Sequence, residues 1–310
     1  MLACPACGAD LTLPDGDALA CACGARFQRR DGVWDLFVDA SGGGEDPSVT
    51  STVRAFYEER PFPNYREDDD RGSLLRRGRA NGFTRALDEA IPPRARVVEL
   101  GCGTGQLPLF LGLAGREVVG VDLTQASLAT GEAFRQRAGI DSVTFLRGNL
   151  FRPPIAEGSA DVAISTGVLH HTADPKGGFL SLARLAKPGG YVIVGLYNSA
   201  GRALLPLLRR QHAQEAASGR RGEAWYHDQH HHPHERRHSV DEVLGWLAEE
   251  GLRFVSASPP VVPGVAPAAP GALFEPQDPG GRFGHWMAQL SWLGRAADGG
   301  LWITVAQRPA

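Results

Sequence analysis

The chain has 310 residues, 43% of them hydrophobic, which is enough for one large α/β domain with a small appendage. Its formal net charge of −3 at pH 7 supplies no overall field that would attract polyanions. No apolar run approaches the roughly 18 residues of a membrane span, and the first residues lack the features of a signal peptide. We therefore expect a cytoplasmic protein without a membrane partner, and the sequence leaves its oligomeric state open.

Four of the five cysteines lie within the first 23 residues as two close pairs, each followed by a glycine. In a reducing compartment this spacing is typical of a tetrahedral zinc site with four thiolate ligands. The predicted zinc ligands are Cys4, Cys7, Cys21 and Cys23. A closed four-sulfur site leaves no open position for a substrate, so the predicted zinc is structural. The second pair has only one residue between its cysteines, which leaves a redox dithiol or inert thiols as alternatives.

The chain is predicted to contain three parts. Residues 1–38 form a zinc ribbon, residues 39–80 form a linker and an N-terminal lid, and residues 81–310 form the main domain. The glycine-rich segment 41–47 predicts a flexible joint after the ribbon. The aromatic and proline-rich segment 61–65 either packs over the core of the main domain or closes over a ligand, and both interpretations remain open.

From residue 96 onward, apolar runs of strand length alternate with helical patterns. Strands are predicted at 97–100, 118–122, 143–146, 161–165, 191–196, 252–256 and 301–306. A capping-box sequence at Ser239 predicts a helix that Gly251 terminates, and an amphipathic helix is predicted over 282–293. Strands that alternate with helices pair in parallel through crossover connections. The predicted fold class is therefore α/β, with a Rossmann-like, doubly wound, mostly parallel sheet of seven strands.

A glycine-rich turn at Gly101–Gly105 follows the first predicted strand of this sheet. The dinucleotide-binding fingerprint would need a glycine at position 106, where this chain has Gln106, so an NAD-dependent oxidoreductase is disfavoured. Glu99, at the end of the strand, can receive the ammonium of an amino-acid moiety. Asp122, at the tip of the second strand, can accept both hydroxyls of a ribose. The turn therefore predicts a ligand that combines an amino acid with a nucleoside.

Three short sequences carry a resemblance to a known family. The run VVELGCGTGQ at 97–106, GVD at 120–122 and KPGG at 187–190 resemble the class I S-adenosylmethionine-dependent methyltransferases. This resemblance extends over about residues 52–310. The N-terminal segment is similar to the Trm112-like zinc ribbons that are fused to, or partnered with, methyltransferases.

The resemblance implies that S-adenosyl-L-methionine is the cofactor. Glu99 and the backbone of Gly101–Gly105 would hold its methionine part, Asp122 its ribose, and Asn149 and Leu150 would flank its adenine. The family usually has Asp in place of Asn149, but an amide oxygen can still accept a hydrogen bond from the adenine amine. The predicted cofactor-binding residues are Glu99, Gly101, Cys102, Gly103, Gly105, Gln106, Asp122, Leu123, Asn149, Leu150 and Thr166.

The methyl acceptor is expected beyond the fourth strand, where His170 and His171 follow. A histidine that titrates near neutrality suits a general base for a hydroxyl, although this pair can equally support the cofactor pocket. Tyr197, at the end of the fifth strand, either bonds to the acceptor or packs. The histidine-rich segment 227–238, which contains His234, is interpreted as a second metal site, an acceptor-binding loop or a solvated connection. The predicted catalytic residues are His171, His170, Tyr197 and His234.

These features predict methyl transfer to a small molecule, with an oxygen acceptor favoured because a histidine base then has a proton to remove. An RNA base methyltransferase is the alternative, with the ribbon as a docking module. Against it, the ribbon has few basic residues, and the segment after the fourth strand lacks the Asn/Asp-Pro-Pro-Tyr pattern of amine methyltransferases. A third hypothesis is a non-catalytic partner protein that stabilises another chain.

Overall fold

The computed structural model describes residues 1–12, 18–39, 45–218, 222–269, 271–294 and 299–310. Of the flexible joint predicted at 41–47, residues 41–44 lie outside these ranges, whereas Asp46 caps a helix that begins at Pro47. Within them, no helix is long and apolar enough to cross a lipid bilayer.

Ten strands in the described ranges form one mixed sheet. They are β1 (Ala18–Ala20), β2 (Arg26–Arg30), β3 (Val33–Asp35), β4 (Arg96–Leu100), β5 (Glu117–Asp122), β6 (Val143–Arg147), β7 (Ala160–Thr166), β8 (Ala186–Tyr197), β9 (Arg253–Ser258) and β10 (Leu301–Gln307). Their order across the sheet is β1-β2-β3-β6-β5-β4-β7-β8-β10-β9. The pairs from β3 to β8 are parallel, and β10 runs antiparallel to both β8 and β9. The predicted doubly wound, mostly parallel α/β sheet is confirmed.

The expectation of seven strands is wrong for the whole sheet, because three strands of the N-terminal ribbon continue it. Strand β3 pairs with β6, so that Trp34 faces Leu146 and Asp35 faces Arg147. Without this pairing, β6 would present a row of unsatisfied backbone groups at the sheet edge. Trp34 also packs in the same hydrophobic cluster as Leu146 and Val121, so the ribbon and the main sheet share one core.

Ten α-helices in the described residues surround the sheet and its edges. They are α1 (Pro47–Glu59), α2 (Arg71–Ala80), α3 (Gly82–Ala90), α4 (Gln106–Gly112), α5 (Gln125–Ala138), α6 (Pro175–Leu185), α7 (Leu205–Ala217), α8 (Glu223–His231), α9 (Val240–Glu249) and α10 (Arg282–Ser291). A single turn of 3-10 helix spans Leu169–His171. The predicted capping box begins α9, where the Ser239 hydroxyl accepts from the Glu242 amide over 3.2 Å. Helix α10 ends at Ser291, two residues before the predicted end.

Candidate functional site

A cavity of about 670 Å³ lies at the carboxyl ends of the central parallel strands. Glu99 on β4, Asp122 on β5, Thr166 on β7 and Tyr197 on β8 all line it. This is the edge at which doubly wound sheets bind their ligands. Of the eleven predicted cofactor residues, all but Gly105 line this cavity, and so do His171 and Tyr197 among the predicted catalytic residues.

The glycine-rich turn is held in a conformation that only glycine adopts easily. Gly101 and Gly103 have φ angles of +76° and +55°. A Cβ atom on Gly103 would lie 2.2 Å from the carbonyl oxygen of Phe62, and one on Gly105 would lie 2.2 Å from the Phe145 ring. A Cβ atom on Gly101 would likewise lie 2.4 Å from Val168, so protein atoms fill the space beside all three glycines, and Gly101 and Gly103 also line the cavity.

Two carboxylates face the cavity beside this turn. Asp122 accepts hydrogen bonds from the amide of Gly103 over 2.8 Å and from the amide and hydroxyl of Thr124 over 2.9 and 2.7 Å. Glu99 is buried, and its Oε2 has no hydrogen-bond partner among the described residues. Burial and the nearby charge of Asp122 raise the pKa of Glu99 to about 8. A cationic ligand group beside Glu99 would stabilise its ionised form and so offset both the burial and the repulsion from Asp122.

Asn149 is buried, and its amide already has partners in this structure. Its Nδ2 donates to Glu45 over 2.9 Å, and its Oδ1 accepts from the amide of Phe151 over 3.0 Å. A carbonyl oxygen has two lone pairs, so Oδ1 retains capacity for one further donor. Leu150 and Leu123 line the same part of the cavity.

His171 lines the cavity and has one unpartnered ring nitrogen. Its Nδ1 lies 2.8 Å from the carbonyl oxygen of His234, and its Nε2 is buried without a partner in the described ranges. Because a carbonyl oxygen only accepts, Nδ1 carries the hydrogen and Nε2 has the free lone pair. Burial lowers the pKa of His171 to about 4, so the ring is neutral at pH 7.

His170 and His234, the two other histidines predicted to be catalytic, do not line the cavity. The ring of His170 is fully buried and packs against Tyr197, with ring centroids 3.8 Å apart. Burial and the adjacent His171 lower its pKa well below the usual value. His234 contributes its backbone carbonyl to His171, so its contribution to this arrangement does not depend on its imidazole.

A network of polar side chains lines the cavity around Tyr197. The hydroxyl of Tyr57, on α1, donates to Asp228, on α8, over 2.7 Å. The amide of Gln229 donates to the hydroxyl of Tyr197 over 2.6 Å and to Asp228 over 3.0 Å. Burial raises the pKa of Asp228 and that of Tyr197. All four side chains line the cavity, and their polar atoms hydrogen-bond to one another.

The histidine-rich segment is tied to the sheet by its backbone. The amide of Arg236 donates to the His170 carbonyl over 2.7 Å, and the amide of His238 donates to the Tyr197 carbonyl over 2.9 Å. Throughout the part of the chain that the structure describes, the cysteine cluster is the one group of three or more side chains with metal-ligand spacing. The interpretation of this segment as a second metal site therefore receives no support.

Comparison with known proteins identifies the domain to which the central strands at this cavity belong. The model of a family described as a methyltransferase domain matches residues 98–194, which run from β4 into β8. Residues 98–194 form a methyltransferase domain.

The curated relatives agree with this assignment. A demethylmenaquinone methyltransferase of Clavibacter sepedonicus is 32% identical over 46% of this chain and 57% of its own length. A ubiquinone biosynthesis O-methyltransferase of Methylococcus capsulatus is 32% identical over 36% of this chain and 46% of its own length. An uncharacterized protein of Synechococcus sp. is 26% identical over 68% of this chain and 60% of its own length. The chain thus spans about half the length of the curated relatives it matches.

A solved structure shows the same fold. The magnesium protoporphyrin IX methyltransferase of Synechocystis PCC 6803, solved with bound SAH, has a TM-score of 0.50 and 17% identity, and the match covers 84% of this chain and 99% of that one. Together with the family match, this confirms the predicted resemblance to S-adenosylmethionine-dependent methyltransferases.

Helix α1 lies over the cavity of the methyltransferase domain, and hydrogen bonds to α8 and α5 hold it there. Val53 and Tyr57 of α1 line the cavity, and Tyr57 bonds to Asp228 on the acceptor side. On the cofactor side, the carboxylate of Glu58 accepts from the first two amides of α5, those of Gln125 and Ala126, over 2.8 and 2.9 Å. Helix α5 has no side-chain cap from its own Thr124, so Glu58 supplies it.

The segment 61–65 packs against the glycine-rich turn and also covers the cavity. The carbonyl oxygen of Phe62 accepts from the amide of Thr104 over 3.2 Å, and that of Asn64 accepts from the side chain of Gln106 over 2.9 Å. Phe62 and Pro63 also line the cavity. The segment therefore belongs to the roof of the methyltransferase site.

Sequence reasoning did not identify Arg77 on α2. Its Nη1 forms an ion pair with Asp69 at 2.6 Å, but Nε and Nη2 are buried without a partner in the described chain. Arg77 lines the cavity together with Glu99 and Gln106. Arg77 lies in a separate helix, 24 residues before the glycine turn begins, so no local motif indicated it.

The four N-terminal cysteines meet in the folded ribbon. The Sγ atoms of Cys4 and Cys23 are 3.8 Å apart, those of Cys7 and Cys21 are 3.4 Å apart, and all four lie within 4.8 Å of one another. None of them lines the cavity.

Proposed function

We propose that this protein transfers the methyl group of S-adenosylmethionine to a hydroxyl group of a small, largely apolar molecule. One observation carries the proposal. A single roofed cavity contains both the carboxylates predicted to hold the cofactor and, beyond them, a neutral imidazole with a free ring nitrogen.

The residues at the cofactor end fit S-adenosylmethionine. The buried, unpartnered oxygen of Glu99 suits the ammonium of the methionine part, and the free N–H groups of Arg77 suit its carboxylate. Asp122 accepts two bonds at Oδ1 and one at Oδ2, so Oδ2 retains one lone pair for a ribose hydroxyl. The bound cofactor would supply a methyl group that its sulfonium makes electrophilic.

His171 is the proposed general base. Its Nε2 can accept the proton of an acceptor hydroxyl as that oxygen attacks the methyl carbon. The carbonyl of His234 holds the ring in the required tautomer, and the stacked ring of His232, with centroids 3.4 Å apart, holds its plane. Because burial keeps His171 uncharged, no proton must leave the ring before it acts.

The lining beyond His171 defines the proposed acceptor class. Trp225, Leu301 and Ile303 provide apolar walls, while Asp228 and Tyr197 provide a small polar region. Such a lining suits an apolar molecule with one or two polar groups. The names of two relatives refer to ubiquinone biosynthesis and to demethylmenaquinone, which supports a small-molecule acceptor over an RNA base.

We also propose that the cysteine cluster holds one structural zinc ion. Four sulfurs at about 2.3 Å from a tetrahedral zinc lie about 3.8 Å from one another, which agrees with the distances within the cluster. Four ligands would leave zinc no open position, so its contribution would be to the folding of the ribbon.

A methyl-transfer assay tests the proposed function. Purified protein and S-adenosylmethionine are incubated with phenols and with amines of similar size, and S-adenosylhomocysteine release and acceptor mass are measured. Mass gain on phenols that His171→Asn abolishes would support the proposal. Methylation of amines alone, or of co-purified RNA alone, would contradict it.

A further inference from the structure

Helix α10 exposes an apolar stripe. Phe283, Trp286, Met287 and Leu290 expose 76%, 55%, 41% and 41% of their surface. Their spacing of three and four residues places them on one face of the helix. The opposite face is anchored, since His285 is buried and bonds to Asp241 of α9 over 2.8 Å. The stripe therefore faces solvent on a helix that is fixed to the domain.

The start of α7 also exposes two apolar side chains. Leu204 and Leu207 expose 40% and 79% of their surface. Both helices adjoin Asn198, whose Nδ2 donates to Gln289 of α10 over 2.9 Å and whose carbonyl accepts from Arg202, just before α7, over 3.0 Å. In the described residues, Val265 is the one other large hydrophobic side chain with comparable exposure.

Arginines are the charged residues of the two segments that carry these side chains, and Asp241 and Glu242 of the neighbouring α9 are paired with His285 and His238. Arg282 on α10 and Arg209 and Arg210 on α7 are exposed. Neither residues 279–294 nor residues 199–214 contain an Asp or Glu, although the whole chain has a net charge of −3. Aromatic and aliphatic side chains beside exposed arginines are typical of surfaces that bind anionic lipid.

The size of the stripe argues against a second copy of the chain as its occupant. Four side chains of roughly 200 Å² each, about half exposed, present on the order of 400 Å². A stable dimer buries about 800 Å² per partner. Shallow insertion among lipid headgroups needs no such area, because the acyl and headgroup boundary conforms to the side chains.

We propose that the stripe of α10, with the start of α7, docks on an anionic lipid surface. Our expectation of no membrane partner rested on the absence of a spanning segment, which does not bear on peripheral docking. The docking face adjoins the acceptor end of the cavity, since Tyr197 and Leu301, which line that end, pair with each other beside Asn198. If the proposed function holds, an apolar acceptor would reach the cavity from the bilayer.

Vesicle co-sedimentation tests the proposal without any cofactor or acceptor. Wild-type protein should sediment with vesicles of phosphatidylglycerol and phosphatidylethanolamine and much less with phosphatidylcholine vesicles. The double variant F283S/W286S should lose affinity by roughly tenfold for each ring removed. The conservative variant F283L/W286F should retain binding, and R209Q/R210Q should weaken binding only to the anionic vesicles. R79Q, which removes an exposed arginine on α2, is the charge control.

Three results would overturn the proposal. They are absence of wild-type sedimentation, sedimentation of F283S/W286S equal to that of the wild type, and a dimer by light scattering that F283S/W286S dissociates. An unchanged circular dichroism spectrum and Tm of the variants shows that they are folded. Because vesicle binding requires no methyl transfer, failure of the proposed function leaves this test valid.

Discussion

The Nδ1 of His171 lies 2.8 Å from the carbonyl oxygen of His234, and this contact sets the chemistry of the ring. The Nδ1 of His232 lies 2.6 Å from the same oxygen. One backbone carbonyl thus orients two stacked imidazoles, and both leave Nε2 without a partner in the described ranges. Of these two rings, His171 lines the cavity, so its Nε2 is the one we assign to proton removal.

Replacement of His171 by Asn should lower kcat by about 10²-fold to 10⁴-fold, because the acceptor hydroxyl loses its base. The affinity for S-adenosylmethionine should not change. In the wild type, kcat at saturating S-adenosylmethionine should persist down to about pH 4 and fall below it, since the neutral ring is the active form and its pKa is about 4. His231→Asn, an exposed histidine of α8, serves as the control. A loss of activity near pH 6.5, the ordinary value for histidine, would contradict this assignment.

Binding of S-adenosylmethionine should release about one proton per site between about pH 5 and 8. Before binding, burial and Asp122 raise the pKa of Glu99 to about 8, so it holds a proton at pH 7. An ammonium partner favours the ionised form and expels that proton, so the affinity should rise with pH in this window. Calorimetry in buffers of different ionisation enthalpy measures the release. Glu99→Gln should abolish both the release and the pH dependence, and a Glu99→Gln variant with wild-type pH dependence would refute the role.

Loss of the Glu58 carboxylate should loosen the roof. Glu58→Ala leaves the first two amides of α5 without their acceptors, which should lower the free energy of unfolding by about 1 to 2 kcal/mol. Dissociation of S-adenosylmethionine should also accelerate, because α1 covers the cavity. Stopped-flow release and chemical denaturation measure the two effects. The neighbouring exposed Glu59→Ala should behave as wild type, and equal effects from both variants would exclude a specific cap.

The purified protein should contain one zinc ion per chain by plasma mass spectrometry, and Cys7→Ser should lose it. Because Trp34 and Leu36 of the ribbon pack in the core of the main sheet, loss of zinc should lower the Tm of the whole domain. Cys102→Ala, which leaves the four ribbon cysteines in place, should keep its zinc. Metal-free protein with an unchanged Tm would refute a structural zinc.

Local patterns predicted the strands of the main sheet because each is a short apolar run bounded by turn residues. They did not predict the docking of the ribbon, since the pairing of Trp34 with Leu146 joins segments more than 100 residues apart. Such long-range pairing leaves no mark on the local sequence. The ten-stranded sheet therefore emerged only from the structure.

Local sequence context likewise separates the site residues that could be predicted from those that could not. Glu99 and Asp122 stand at fixed positions around the glycine turn, so their sequence context revealed them. Tyr57, Arg77 and Asp228 come from three separate helices that tertiary packing brings to the cavity. His234 was predicted as a catalytic side chain, but its carbonyl makes the contact with His171, and any residue type can supply a carbonyl.

Titration calorimetry of the protein with S-adenosylmethionine, for the wild type and Asp122→Asn, tests the central claim most directly. We predict one site per chain with micromolar affinity, no binding of NAD, and a loss of about 1 to 3 kcal/mol of binding free energy in Asp122→Asn. Absence of S-adenosylmethionine binding, or equal affinity in the two proteins, would contradict it.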